Sequence, residues 1–177
     1  MDIKRLFDFP YHQLETHNLE AALVSKKNGK WVKTSTTEYL DKANAISRAL
    51  LKLGVKKNDK IAVISSTNRT EWCIVDIGVL QIGAQNIPIY PTISSEDYEY
   101  ILNHSQATYC FVSDQDVLDK VLKVKANTEL KDVYSFDQLK DCKNYSVLLE
   151  MGKDTSNQNE VEARKKQVKE NDLATII

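Results

Sequence analysis

The sequence predicts an α/β fold with a doubly wound, mostly parallel sheet, flanking helices and an N-terminal β-hairpin. Between residues 36 and 136, short β-branched runs alternate regularly with segments of helical periodicity. Helix-capping residues follow several of these runs directly. This alternation favours right-handed crossovers, which place consecutive strands parallel in one sheet. With 177 residues, 42% of them hydrophobic, the chain is long enough for one core and therefore for one domain.

An N-terminal segment, residues 1–35, precedes the alternating core. Two short runs, 21–25 and 31–33, flank the pair Asn28-Gly29. Asn and Gly accept the positive φ angles of tight primed turns, so this pattern predicts a β-hairpin.

Each element of the core, residues 36–136, follows from a local signal. Ser35 and Glu38 form a capping box that begins a long helix, and Gly54 supplies its left-handed end. Pro88 lacks an amide hydrogen, so its strand should place it at a strand end or at the border of the sheet. The predicted strands are 60–65, which we expect to be central, 85–90, 108–112 and 132–136; the predicted helices are 6–17, 36–53, 72–82, 94–104 and 113–126.

Residues 137–171 are predicted to be peripheral and partly mobile. They contain a short helical piece at 147–151, a polar loop at 152–159 and a charged, solvated helix at 160–169. Residues 172–177 then read as a buried strand. Because such strands usually lead into a loop that carries chemistry, we expect the chain to be a fragment.

Composition excludes several classes of protein. Twenty-four basic and 25 acidic side chains give a net charge of −1, which does not indicate a nucleic-acid partner. No window approaches the roughly 18 apolar residues of a membrane span, so we expect a cytoplasmic protein for which peripheral membrane contact stays open. Cys73, Cys110 and Cys142 are too far apart for a metal knuckle and are predicted to be buried, reduced thiols.

One candidate site lies at the strand-to-helix junction of Asn68 and Arg69, which could contact an anionic group. The structural alternative, which we favour, is capping of the next helix by Asn68 and Glu71, with Trp72 as a core anchor.

The remaining candidates also favour structural roles. The loop 90–94 is expected to be a rigid turn, and Asp76 to make a structural hydrogen bond. Three histidines, His12, His17 and His104, have no partner at metal-ligand spacing. The five glycines are scattered and form no phosphate-binding loop, so we assign no catalytic, cofactor-binding or metal-binding residue within the chain.

Three stretches carry a further signal: residues 34–40, Thr-Ser-Thr-Thr-Glu-Tyr-Leu, residues 80–90 and residues 172–177. In their order and spacing they resemble the start of the adenylate-forming (AMP-binding) superfamily, which includes acyl-CoA synthetases, luciferases and adenylation domains. Residues 34–40 resemble its first core motif, with Thr36 or Thr37 in place of an aromatic residue. Residues 80–90 resemble the second motif. Residues 172–177 resemble the strand that leads into the third, the glycine- and threonine-rich loop that holds the ATP phosphates.

Within that superfamily, residues 68–72, 87–92 and 100–105 look most similar to bacterial long-chain fatty acid CoA ligases. The resemblance implies a parent enzyme that forms acyl-AMP from a fatty acid and MgATP and transfers the acyl group to CoA. The fragment itself should bind none of these cofactors and be inactive, because the phosphate loop and the later motifs lie outside residues 1–177.

Two alternatives stay open. The chain could be a non-catalytic α/β module that binds a nucleotide or a protein, or a fragment of an adenylate-forming enzyme that acts on aryl or amino acids. Self-association through the surface exposed by truncation is a further expectation.

Overall fold

The computed structural model describes residues 2–27 and 29–177. Its N-terminal part contains α1 (Asp8–Thr16) and a hairpin of β1 (Leu23–Lys27) and β2 (Lys30–Thr34), paired antiparallel. The hairpin prediction is confirmed, and Gly29 has a φ of +78°. Asn28, the other predicted turn residue, lies outside the described residues.

A five-stranded parallel sheet forms the centre of the molecule. Its strands are β3 (Lys60–Ile64), β4 (Gln85–Ile89), β5 (Ala107–Val112), β6 (Asp132–Ser135) and β7 (Lys143–Asn144), in the order β4-β3-β5-β6-β7. The predicted parallel sheet is therefore confirmed. The run 60–65 is internal, as expected, with β4 on one side and β5 on the other. The two-residue strand β7 is too short to leave a sequence pattern and was not predicted.

Helices cover both faces of the sheet. They are α2 (Thr36–Lys52), α3 (Thr70–Leu80), α4 (Ser95–Ser105), α5 (Gln115–Val124), α6 (Ser146–Met151) and α7 (Gln158–Gln167), with a short 3₁₀ turn at Lys125–Asn127. One hydrophobic cluster joins α2, α3 and α6 to the sheet. A second joins α4 and α5 to the opposite face. This two-faced packing explains why the β3 sequence is almost continuously apolar.

The helix pair α2–α3 packs closely because of Gly78. A Cβ atom at this position would lie 2.7 Å from Cγ2 of Ile46, which is fully buried. The capping box of Ser35 and Glu38 fixes the start of α2, as predicted, and Gly54 follows its end with a φ of +83°. No helix among the described residues is both long enough and apolar enough to cross a membrane.

The polar loop 152–159, predicted to be mobile, is tied to α2. Arg48 donates from Nε to the carbonyl oxygen of Gly152 at 2.6 Å, and Lys52 pairs with Asp154 at 2.7 Å. The helix that follows is mostly exposed, as predicted, although Val161 is fully buried in the α2–α3 cluster.

Residues 172–177 differ from the predicted buried strand. A single parallel bridge joins Thr175 to Asn86 of β4, and 56% of Leu173 is exposed. The segment adds to the outer border of the sheet, so it is only partly covered. Pro88 lies on the same border strand, as its missing amide hydrogen predicts.

Candidate functional site

The carboxyl ends of the parallel strands β3, β5 and β6 meet at one edge of the sheet, the position at which open α/β sheets bind ligands. The hairpin covers part of this edge and leaves a cleft of about 550 Å³, which we call the carboxyl-edge cleft. Polar side chains from the hairpin, from α3, from β7 and from two loops line it: Lys27, Asn68, Arg69, Glu71, Asp137 and Asn144.

Arg69 is the central cation of the carboxyl-edge cleft, and each of its three side-chain nitrogens donates a hydrogen bond. Its guanidinium contacts Asp137 Oδ1 at 2.7 Å, the Ser113 carbonyl oxygen at 3.2 Å and Glu71 Oε2 at 3.4 Å. It also lies over the Phe136 ring. Burial opposes its charge, but Asp137 and Glu71 outweigh burial and raise the pKa of Arg69. Arg69 therefore cross-links three loops, and few of its donors stay available for an anionic ligand.

Glu71 is buried beside Arg69, with 3% of its side chain exposed. Lys27 of the hairpin donates to its Oε1 at 2.5 Å. Burial by itself would raise the pKa of Glu71. The hydrogen bond from Lys27 and the charge of Arg69 lower this pKa by more than burial raises it, so the pKa of Glu71 lies below its usual value. Glu71 thus stays ionised and holds the hairpin against the sheet edge.

The prediction that Asn68 and Glu71 cap the helix after β3 is wrong. Helix α3 begins at Thr70, its N-cap residue is Arg69, and no side chain makes a cap hydrogen bond there. Asn68 is exposed. The carboxylate of Glu71 turns instead toward Lys27 and Arg69, because two cations outcompete a neutral amide as partners for a buried carboxylate.

Neighbouring loops hold the remaining polar groups in place. The Ser66 amide donates to Ser113 Oγ at 3.0 Å, and Asp114 caps α5 through the Val117 amide. Burial raises the pKa of Asp114, but the Ser113 hydroxyl and the cap amides lower it below the usual value overall. Asn144 donates to the carbonyl oxygens of three consecutive residues, 135–137, which fixes the loop after β6.

The loop 90–94 is a rigid turn, as expected. The Pro91 carbonyl oxygen accepts hydrogen bonds from the Tyr98 hydroxyl at 3.0 Å and from Lys120 Nζ at 2.9 Å. Ser94 forms a capping box with Asp97 that begins α4. Tyr90, in contrast, is 72% exposed.

The histidines and cysteines do not assemble into a centre. His104 stacks on Tyr100 in the last turn of α4, and all three cysteines are free. Burial raises the pKa of each cysteine thiol, which keeps the thiols protonated and poorly nucleophilic. Within residues 2–27 and 29–177, no group of three or more His, Cys, Asp or Glu side chains is placed to hold a metal ion.

A second polar arrangement lies at the outer border of the sheet, which we call the β4 border and define as Asp76, Asn86 and residues 172–177. Asn86 is 1% exposed and donates from Nδ2 to Asp76 Oδ1 at 2.7 Å. Burial raises the pKa of Asp76, and the amide of Asn86 offsets only part of that effect. The structural hydrogen bond expected for Asp76 is therefore confirmed.

The sequence singled out Arg69 and Glu71 but not the residues Lys27, Ser113 and Asp137 that contact them. Ser113 and Asp137 could have been found, because residues that follow parallel strands meet at one edge. Lys27 could not, since nothing in the pattern fixes how the hairpin docks. Asn86 was missed because a polar residue inside an apolar run shows no partner until the helix is placed beside it.

The three stretches that resembled adenylate-forming enzymes occupy defined places in this architecture. Residues 34–40 form the end of the hairpin and the capped start of α2. Residues 80–90 connect the end of α3 with β4, and residues 172–177 pair with β4. Two stretches that are far apart in the sequence are therefore hydrogen-bonded neighbours in the fold.

These features define a parallel α/β protein, a class in which ligands usually bind at the carboxyl ends of the strands. A family model described as "AMP-binding enzyme" matches residues 11–177. The chain belongs to the AMP-binding enzyme family, which confirms the resemblance drawn from the three stretches.

Curated relatives are acyl-CoA ligases. The chain is 29% identical over 164 residues to a long-chain-fatty-acid–CoA ligase of Xenopus laevis, a match that covers 86% of the chain and 22% of the relative. It is 34% identical over 84 residues to such a ligase of Mycobacterium bovis, which covers 48% of the chain and 14% of the relative. The chain thus spans about a fifth or less of the length of these relatives.

Solved structures share the fold. A long-chain-fatty-acid-CoA ligase of Archaeoglobus fulgidus aligns with a TM-score of 0.69 at 18% identity, covering 86% of this chain and 30% of that one. An anthranilate CoA ligase in complex with anthranoyl-AMP aligns with a TM-score of 0.71 at 19% identity, covering 82% and 27%. At this level of identity the alignments show the parallel α/β fold.

Proposed function

We propose that the chain is the N-terminal part of a long-chain fatty acid CoA ligase. The complete enzyme forms an acyl adenylate from a fatty acid and MgATP and then transfers the acyl group to CoA. Curated relatives named as long-chain-fatty-acid–CoA ligases support this substrate class, and family membership supports the use of ATP.

The observation that carries this proposal is the path of residues 172–177. The segment runs parallel to β4, so its end points toward the same edge of the sheet as the ends of β3, β5 and β6. A phosphate-binding loop placed directly after Ile177 would begin at that edge. This is the position at which open α/β sheets bind nucleotides.

We further propose that residues 1–177 alone are inactive. Transfer of an adenylyl group requires preorganised amide donors, cations and metal-binding carboxylates around phosphorus. In the described part of the chain, the best-placed cation, Arg69, is already held by Asp137 and Glu71. The 177 residues supply the sheet against which the catalytic parts pack.

The test is pyrophosphate exchange with ATP by the protein of the complete reading frame. Palmitate, benzoate and an amino acid are compared as substrates, and the 177-residue chain is assayed alongside. We expect exchange with palmitate by the complete protein and none by the 177 residues. Preference for benzoate or the amino acid would replace the fatty acid assignment, and exchange by the 177 residues alone would disprove their proposed inactivity. No exchange by the complete protein would favour a non-catalytic module.

The proposal also explains the apolar surface near α1. Phe9 is 58% exposed and lines a groove of about 250 Å³ together with Leu173 and neighbouring apolar side chains. We propose that this face packs against the rest of the ligase and that the isolated chain self-associates through it. Sedimentation should therefore show mass that rises with concentration, whereas a constant monomer mass would contradict this proposal.

A further inference from the structure

Among the described residues, the hydrogen bonds that join residues 172–177 to β4 all involve Asn86. The Asn86 amide donates to the Ala174 carbonyl oxygen at 3.0 Å. The Asn86 carbonyl oxygen accepts from the Ile176 amide at 3.3 Å and from Thr175 Oγ1 at 2.8 Å. Backbone groups in a strand alternate in direction, so Pro88 is the next β4 residue that faces the segment. Proline has no amide to donate, so Asn86 carries the register.

The backbone of Asn86 binds residues 172–177, whereas its side chain binds helix α3. Its Nδ2 donates to Asp76 on α3 at 2.7 Å, which ties β4 and the helix together beneath the terminal segment. Its Oδ1 is buried and has no hydrogen-bond partner among residues 2–27 and 29–177. A buried unpaired oxygen and a partly buried carboxylate both cost free energy, and apolar residues of similar size would avoid both costs. Stability alone therefore does not account for this pair.

We propose that Asn86, oriented by Asp76, is a positioning residue that sets the register of residues 172–177 and so places the ATP-phosphate loop expected directly after Ile177. This inference rests on the proposed function. A one-residue slip of the segment would turn each of its side chains to the other face and displace the start of the loop by one strand step, about 3.3 Å. Displacements of that size are large compared with the tolerance of phosphate-binding geometry.

The test exchanges the amide and the acid in the complete ligase. Asn86→Asp places two carboxylates face to face, and we expect it to raise KM for ATP roughly tenfold or more while KM for the fatty acid changes little. Asp76→Asn keeps a hydrogen-bonding side chain and should have a smaller effect. The double variant Asp76→Asn/Asn86→Asp restores an amide–carboxylate pair, so we expect KM for ATP to return to within about threefold of the wild type.

A control separates positioning from general destabilisation. Ser47 donates from Oγ to the Gly78 carbonyl oxygen at 2.7 Å, so Ser47→Ala removes a buried hydrogen bond of α3 without touching residues 172–177. We expect it to lower stability and leave KM for ATP unchanged. An equal rise in KM for ATP in Ser47→Ala and Asn86→Asp, or no recovery in the double variant, would overturn the inference.

Hydrogen exchange in the 177-residue chain supplies a readout that does not depend on activity. The Ile176 amide should exchange faster in Asn86→Asp and recover protection in the double variant, and unchanged exchange would also overturn the inference. An inactive wild-type ligase together with coupled exchange would instead disprove the proposed function while leaving the register role of Asn86 supported.

Discussion

The two polar arrangements of this chain differ in how completely their groups are paired. At the carboxyl-edge cleft, Glu71 has two cationic partners and Arg69 has two carboxylates and a carbonyl. At the β4 border, Asp76 accepts one amide hydrogen bond, and Asn86 has one buried oxygen that no other described residue contacts by a hydrogen bond. A closed cluster of this kind holds elements together. A buried polar group without a partner, as at the β4 border, costs free energy, so a role other than stabilising the fold has to explain its presence.

The comparison changes where a functional role is expected. The sequence suggested a site at the strand-to-helix junction of Arg69. In the structure, however, Arg69 and Glu71 are paired with each other and with Asp137 and Lys27, and these pairs join the hairpin and the loop after β6 to the sheet edge. The less conspicuous Asn86 connects a helix, a strand and the segment 172–177.

Removal of the central carboxylate should be the most damaging change. Glu71→Ala leaves Lys27 and the largely buried Arg69 with fewer partners, and we expect it to lower the free energy of unfolding by about 2–3 kcal/mol. Urea denaturation measures this difference. As a matched control, the exposed Glu129→Ala should change stability by less than about 0.5 kcal/mol. If Glu71→Ala lowered the free energy of unfolding as little as Glu129→Ala does, the cluster of Lys27, Arg69, Glu71 and Asp137 would contribute little to stability.

Asn86→Ala should cost less stability but act more locally. We expect a loss of about 1–2 kcal/mol, because the hydrogen bond between Asn86 and Asp76 disappears and the partly buried carboxylate of Asp76 is left without this amide donor. Amide exchange at Ile176 should accelerate more in this variant than in Glu71→Ala. The reverse order would mean that the carboxyl-edge cleft, rather than the β4 border, holds the terminal segment.

The stability contributions of the buried Glu71 and the partly buried Asp76 should respond to pH with opposite signs. The folded pKa of Glu71 lies below its ordinary value of 4.5, so its stabilisation is complete above that pH and is lost as pH falls through the folded pKa. The folded pKa of Asp76 lies above 3.8, so its favourable contribution is complete below pH 3.8 and is lost as pH rises through the folded pKa.

Two neutral variants separate these contributions. Glu71→Gln should cost more stability at pH 7 than at pH 3, and Asp76→Asn should gain stability relative to the wild type at pH 7 rather than at pH 3.5. Urea denaturation at several pH values gives both differences. Parallel pH profiles for the two variants would contradict the opposite pKa shifts.

Most of the fold follows from local signals in the sequence. The capping box at Ser35 and the left-handed glycine at 54 marked helix ends that the structure retains. The parallel sheet followed from alternation alone. These signals act over a few residues, so no partner from elsewhere in the chain is needed to read them.

Tertiary partners explain what the sequence did not predict. Asn68 and Glu71 have the types and spacing of helix caps, but Lys27 and Arg69 draw the carboxylate away once the hairpin docks. The apolar run 172–177 predicted burial, whereas its single bridge to β4 leaves it at the sheet border. Both differences depend on contacts between residues more than 40 positions apart, except the Arg69–Glu71 pair itself.

The smallest effect is expected at the solvent-facing end of the closed cluster. Asp137 pairs with Arg69 at 2.7 Å, but 49% of its side chain is exposed, so water screens the pair. Asp137→Asn should therefore lower the free energy of unfolding by at most about 0.5 kcal/mol, and the loss should shrink in high salt. Urea denaturation in low and high salt provides the measurement. A loss comparable to that of Glu71→Ala would mean that the cleft behaves as one cooperative network in which the exposed partner matters as much as the buried one.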